Sequence, residues 1–164
     1  MQKPNFGESV VEIITRDNRY DRDAYYFVRE GLDFTLKMLK KQNHATTVQR
    51  HVSGQELLEG LRRYALDQFG PMAKTVLEYW GVHKCEDFGA IVFNMVDKSI
   101  LGKTDQDSPA DFTGGFDFEE AFVRPFQPVT RPQARPTGRQ VTPADPVRDH
   151  SRTSDSKKLS SGSN

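Results

Sequence analysis

The stretch HVSGQELLEGLRRYALDQFGPMAKTVLEYWGV, residues 51–82, predicts two helices separated by a sharp stop. Ser53 and Glu56 have the spacing of a capping box, in which the hydroxyl accepts the Glu56 amide and the carboxylate accepts the Ser53 amide. Apolar residues then recur every three or four positions. Gly70 is expected to end that helix and Pro71 to begin the next, which are the usual preferences of these residues. A chain with this segment at its centre is expected to fold around helices.

The same periodicity predicts helices on both sides of this segment. They are expected at Glu8–Asp17, at Asp21–Lys41 and at Glu86–Ser99, with a short last helix capped by Asp117 and Glu120. Thr47–Val52 has no helical period and is rich in Thr and Val, so a short strand is expected there. The predicted fold class is mainly α, a compact domain of five to six helices.

The segment ILGKTDQDSPADF, residues 100–112, has an apolar start, a polar turn and an apolar return at Phe112. This pattern predicts a small β-hairpin. Two helices, a turn, a helix and a hairpin are the order of a winged helix-turn-helix, in which the third helix enters the major groove of DNA. The charges oppose that use, because phosphate binding depends on Lys and Arg. The predicted outer face of the helix and the hairpin tip instead carry Asp87, Asp97, Asp105 and Asp107.

Charge and apolar content divide the chain into two parts. Residues 1–123 carry 15 Lys/Arg and 20 Asp/Glu, a net charge of −5, whereas residues 124–164 carry 8 and 3, a net charge of +5. Residues 124–164 contain seven apolar residues and six of the nine prolines. So little apolar surface does not offset the entropy lost on ordering the backbone. The sequence therefore predicts a helical globular domain at residues 1–125 and a disordered Pro/Arg/Ser-rich tail at residues 126–164.

Several classes of protein are disfavoured by simple features. Met1–Ser9 lacks the apolar stretch of a secretory signal, and the best apolar run, Gly89–Val96, is far shorter than a membrane span. The single Cys85 excludes an intrachain disulfide. A soluble cytoplasmic protein without a membrane partner is expected.

Two groups of residues are candidates for binding. The phenylalanines near the end of the predicted domain are expected to close the helical core, and they or the fifth helix are the candidate surface for a protein partner. This group is Phe112, Phe116, Phe118, Phe122 and Asn94. A second group could gather positive charge for a polyanion, although an ordinary solvated helix end is the favoured explanation. It comprises Lys40, Lys41, Arg50, Arg62 and Arg63.

Motifs of known chemistry are weak in this sequence. His83 and Cys85 are half of a metal site at most, because no second pair of ligands has suitable spacing. Neither a phosphate-binding loop nor a nucleophile elbow is found. Tyr25, Tyr26 and Trp80 could line a pocket, but aromatic residues at helical spacing are more often core. We therefore predict no catalytic residue, cofactor or metal.

Four stretches carry a resemblance to a known family. They are RYDRDAYYFVREGL, HVSGQELLEGLRRYALDQFGPMAKTVLEYWGV, DFGAIVFNMV and DFTGGFDFEEAF. Together they resemble an uncharacterised conserved family of small bacterial proteins from planctomycetes, verrucomicrobia and their relatives. The resemblance covers about residues 5–128. It implies a small cytoplasmic protein and transfers no catalytic or binding residue to this chain.

Three functions remain open on these grounds. The first is a non-catalytic cytoplasmic interaction or adaptor module, because the helical body has no reactive constellation and carries a tail of opposite charge. The alternative is a nucleic-acid-binding regulator of winged-helix type. The third is a small-molecule enzyme or sensor that uses the tyrosines named above.

Overall fold

The computed structural model describes residues 5–43 and 51–129, and helices account for most of them. The α-helices in chain order are α1 (Phe6–Arg16), α2 (Arg22–Asn43), α3 (Gly54–Phe69), α4 (Ala73–Tyr79), α5 (Cys85–Asp97) and α6 (Phe118–Phe122). Short 3₁₀ turns lie at Gly70–Met72, at Pro109–Phe112 and at Arg124–Phe126. The described residues up to Pro128 belong to one compact unit. The expectation of a mainly α fold is confirmed.

Side chains near the helix ends fix where the helices begin. At α3, Ser53 Oγ accepts the amide of Glu56 at 3.2 Å, and Glu56 Oε2 accepts the amide of Ser53 at 3.0 Å, as predicted. Gly70, with φ of +52°, ends that helix. The helix α1 begins earlier than expected, because Asn5 and Glu8 form a second capping box. Caps of this kind contribute about 1 kcal/mol each.

The helices α2 and α3 approach each other closely. A Cβ atom on Gly60 would lie 1.8 Å from Thr35 Oγ1, so the absence of a side chain at Gly60 permits the approach. Thr35 is fully buried, and its hydroxyl donates to the carbonyl of Gly31 at 2.6 Å. This bond satisfies a polar group that would be costly to bury alone. The closest part of the interface is therefore built from glycine and threonine.

Aromatic rings fill the space between α2, α3 and α5. The ring of Phe27 lies 5.2 Å from that of Tyr64, 5.7 Å from that of Trp80 and 6.3 Å from that of Phe88. These separations are typical of aromatic pairs that stabilise a core beyond the area they bury. Phe27 of α2 and Tyr64 of α3 thus pack in the core.

The predicted β-hairpin at residues 100–112 is wrong. Within residues 5–43 and 51–129 the structure has no strand, and this segment is a loop that ends in the 3₁₀ turn Pro109–Phe112. Side chains bind the backbone groups that a strand would have paired. Asp107 accepts the amide of Thr104 at 2.6 Å, and Asp111 accepts the amide of Ser108 at 2.8 Å. Local side-chain bonds of this kind compete with strand pairing.

Two further expectations fall wholly or largely on residues outside the described ranges. The strand at Thr47–Val52 is one of these, although its last two residues are described and are not in a strand. The tail is the other, since the described part of the chain ends at Val129. Among the helices that the structure describes, none combines the length and apolar character needed to cross a bilayer.

A candidate binding groove lined by α2, α3 and α5

A concave apolar surface lies between α2, the beginning of α3, α5 and the loop that follows α5. We call it the α5 groove, and its cavity volume is about 210 Å³. Six half-buried apolar side chains form its walls: Leu32, Leu36, Val52, Phe93, Val96 and Leu101. Apolar side chains left partly exposed in a concavity are a common feature of binding sites.

The walls of the groove follow from helix periodicity. Leu32 and Leu36 are four residues apart on α2, and Phe93 and Val96 are three apart on α5. Side chains at these spacings lie on one face of a helix. Phe112 forms part of the floor, with its ring centroid 6.5 Å from that of Phe93 and the two planes nearly perpendicular. Helices α2 and α5 thus supply two walls of the groove, and a buried ring supplies part of its floor.

A bond between His51 and Asp107 joins two sides of the rim. His51 Nε2 lies 2.9 Å from Asp107 Oδ1, and the other carboxylate oxygen accepts the amide of Thr104 at 2.6 Å and its hydroxyl at 3.0 Å. Partial burial alone would raise the pKa of Asp107, but the bonds from Thr104 and His51 outweigh it, so the pKa is lowered. Asp107 is held as a carboxylate whose oxygens already have partners.

Asp111 is also engaged within the protein. Its carboxylate accepts the amide of Ser108, and its carbonyl accepts Gln55 Nε2 at 2.6 Å. These bonds hold the turn before Phe112 against the start of α3. Both acidic side chains on the rim therefore have structural roles.

Lys103 supplies positive charge at the rim. Its ammonium lies 5.9 Å from the centroid of the Phe93 ring, a distance at which a cation and an aromatic ring attract each other. Among the residues that the structure describes, no carboxylate lies within 4.0 Å of that ammonium. The groove consequently combines apolar walls with one cation that has no acidic neighbour at contact distance.

The phenylalanines predicted to bind a partner lie mainly in the core. Phe112, Phe118 and Phe122 expose 4%, 5% and 0% of their surface, and Phe116 is half-buried. Side chains at this depth pack in the core, and of these Phe112 also forms part of the floor of the α5 groove. Asn94 is likewise occupied, because its amide donates to Asp17 Oδ2 at 3.0 Å and to the Tyr25 hydroxyl at 3.1 Å.

Two members of the predicted polyanion group are paired with an acidic side chain. Arg62 and Arg63 both bind Glu59, with N–O distances of 2.7 Å. The hydrogen bond from Arg62 lowers the pKa of Glu59 to about 2, with a smaller contribution from Arg63. Lys40 and Lys41 are exposed in the last turns of α2, and Arg50 lies outside the described residues.

Reactive side chains do not converge in the described part of the chain. Cys85 is buried, and its Sγ lies 3.3 Å from both the amide and the carbonyl of Phe116. Burial raises the pKa of the Cys85 thiol. Over residues 5–43 and 51–129, no three His, Cys, Asp or Glu side chains are placed to hold a metal ion. Tyr25, proposed for a pocket, is fully buried in the core.

Comparison with known proteins adds no assignment. No protein-family model, curated protein or solved structure matches this chain. The resemblance to an uncharacterised bacterial family therefore stays a prediction.

Sequence reasoning missed the α5 groove. Its walls come from three helices and a loop that are distant along the chain, and no local pattern indicates that they meet. One signal was available: Ser108, Pro109 and Asp111 have the spacing of a capped turn, and Ser108 and Asp111 form a capping box. That signal predicts a turn in place of the hairpin. Ile100 and Leu101 would then not be expected to pair in a strand.

Proposed function

We propose that the protein is a non-catalytic interaction module and that the α5 groove receives an apolar anchor side chain of a protein partner. The observation that carries the proposal is the set of six half-buried apolar side chains that surround a cavity of about 210 Å³. Burying one aliphatic or aromatic side chain contributes about 1.5–3 kcal/mol, so such a contact can be central to an interface.

The size of the groove favours an anchor over an enclosed small molecule. Pockets for drug-sized ligands commonly measure about 300–1,000 Å³ and bury most of the ligand. The cavity here is about 210 Å³, and its walls stay half-exposed. One side chain that projects from a larger partner fills such a space, while the rest of the partner covers the rim.

Blocking the groove tests this function. Gly102 lies on the rim, and apart from its two chain neighbours no atom comes within 4 Å of a Cβ atom built on it. The substitution Gly102→Trp therefore adds an indole beside the groove at a position that has room for its Cβ atom. Full-length protein that carries Gly102→Trp should lose at least nine-tenths of a stoichiometric partner that the unmodified chain captures from native lysate.

Thr75→Trp is the matched control. Thr75 is exposed on α4 and does not line the groove, so this variant adds the same ring elsewhere. It should capture the partner at the unmodified level, and both variants should melt at the same temperature within about 2 °C, because surface substitutions rarely change stability much. Equal capture by Gly102→Trp and the unmodified chain would show that the groove is not the binding surface.

A further inference from the structure

We infer that the α5 groove recognises the C-terminal residue of the partner polypeptide, with an apolar side chain in the groove and the terminal carboxylate at Lys103. This inference rests on the proposed function and names the chemistry of the partner. It follows from the charges on the rim and from the distance between the lysine and the apolar wall.

The rim favours an anionic group at one place. Asp107 has its oxygens bound to Thr104 and His51, and Asp111 caps the turn that begins at Ser108. Lys103 is exposed, and none of the described carboxylates lies within 4.0 Å of its ammonium. An ammonium offers three donors and accepts none, so its natural partner is a carboxylate.

The spacing selects a terminal carboxylate over an acidic side chain. The Lys103 ammonium is 5.9 Å from the centroid of the Phe93 ring, which lines the groove. A ligand that contacts both must carry its apolar group and its carboxylate only a few ångströms apart. A C-terminal residue does so, because both groups are attached to one Cα. In an extended chain the neighbouring side chain points the opposite way, so an acidic residue next to the anchor would face away from Lys103.

Four short peptides test the inference with the full-length protein. All are N-acetylated: GSGSL with a free carboxylate, GSGSL with a C-terminal amide, GSGLD with a C-terminal amide, and GSGSA with a free carboxylate. Titrations followed by amide chemical shifts in NMR spectra should give a dissociation constant of about 0.1–1 mM for the first peptide. The amide forms should bind about fivefold more weakly, which is the upper range for an exposed ion pair. The alanine peptide should bind at least tenfold more weakly, because most of the apolar anchor is removed.

A charge reversal with a matched control assigns the carboxylate to its lysine. Lys103→Glu should remove the preference for the free carboxylate, so that the two GSGSL peptides bind equally. Lys37→Glu makes the same change in charge at an exposed position of α2 that does not line the groove, and it should keep the fivefold preference.

The outcomes separate this inference from the proposed function. Equal binding of the acid and the amide by the unmodified chain, with both lost in Gly102→Trp, would overturn the inference and leave the groove as the site. Stronger binding of the GSGLD amide would also overturn it, in favour of an acidic side chain. If no peptide binds, the inference is wrong, and capture by the Gly102→Trp variant decides the proposed function on its own.

Discussion

His51 Nε2 lies 2.9 Å from a carboxylate oxygen of Asp107, and this bond joins the chain before α3 to the loop after α5. Asp107 also holds the amide and hydroxyl of Thr104. One carboxylate therefore fixes the shape of the loop and attaches it beside the groove. The loop positions Lys103, so the ligand chemistry inferred above depends on this carboxylate.

Replacing that carboxylate should loosen the loop and leave the helices intact. In Asp107→Ala, the amide of Thr104 loses its acceptor, so hydrogen exchange at residues 102–107 should become at least tenfold faster. The His51–Asp107 pair is largely at the surface, where such bonds contribute about 0–1 kcal/mol. The free energy of global unfolding should therefore change by no more than that. Exchange mass spectrometry measures the first effect and urea unfolding the second. Unchanged exchange would mean that Asp107 does not hold the loop.

Asn94 connects α5 to two distant parts of the chain. Its amide donates to Asp17 and to Tyr25, and Arg19 donates to both oxygens of the same Asp17 carboxylate. The Arg19 bonds hold the pKa of Asp17 well below its usual range, and Asn94 adds to the effect. Removing the amide in Asn94→Ala should lower the free energy of unfolding by about 1–3 kcal/mol, since partly buried polar groups lose their partner. Urea denaturation checks this, and a change below about 0.5 kcal/mol would contradict it.

The contact between α2 and α3 predicts a steric effect. In Gly60→Ala, the new methyl group would meet Thr35 Oγ1 at 1.8 Å, so the helices must separate. Overpacking of this kind costs about 1–3 kcal/mol. Gly102→Ala is the control, because nothing lies within 4 Å of its Cβ position. Thermal melting should show a clear decrease for the first variant and none for the second. Equal melting temperatures would show that the interface absorbs the methyl group.

Protonation of Glu59 should lower the free energy of unfolding in acid. Its pKa is lowered to about 2 by the bonds from Arg62 and Arg63, from its usual value of 4.5. The folded state therefore binds fewer protons than the unfolded chain between these values. The stabilisation is fully present above about pH 5 and disappears as the pH falls towards 2. In Glu59→Gln, unfolding by urea should occur at lower concentration than in the unmodified chain at pH 7, and the difference should vanish near pH 2. A difference independent of pH would exclude this ion pair as its cause.

Local signals predicted the helices, whereas long-range contacts determined the groove. Ser53 and Glu56 form the expected capping box because that motif involves only four consecutive residues. The hairpin prediction failed because the apolar start and the apolar return at Phe112 were given more weight than Asp107 and Ser108, whose side chains bind nearby backbone groups. The position of Lys103 beside the ring of Phe93 could not be predicted, since it depends on how the loop folds back onto α5.

Cross-linking from beside the groove tests the central claim most directly. Gln106 is exposed and does not line the groove, although its neighbour Asp107 does. Cys85 is buried and its thiol pKa is raised, so a thiol introduced as Gln106→Cys should react selectively with a maleimide that carries a photoactivated benzophenone. The same probe at Thr75→Cys serves as the control. After irradiation in native lysate, we expect one dominant adduct of defined mass from position 106. That adduct should disappear when excess unlabelled protein competes, and should remain when the Gly102→Trp variant is the competitor. Adducts of equal yield from both positions, or competition by Gly102→Trp, would contradict the assignment of the groove as the partner site.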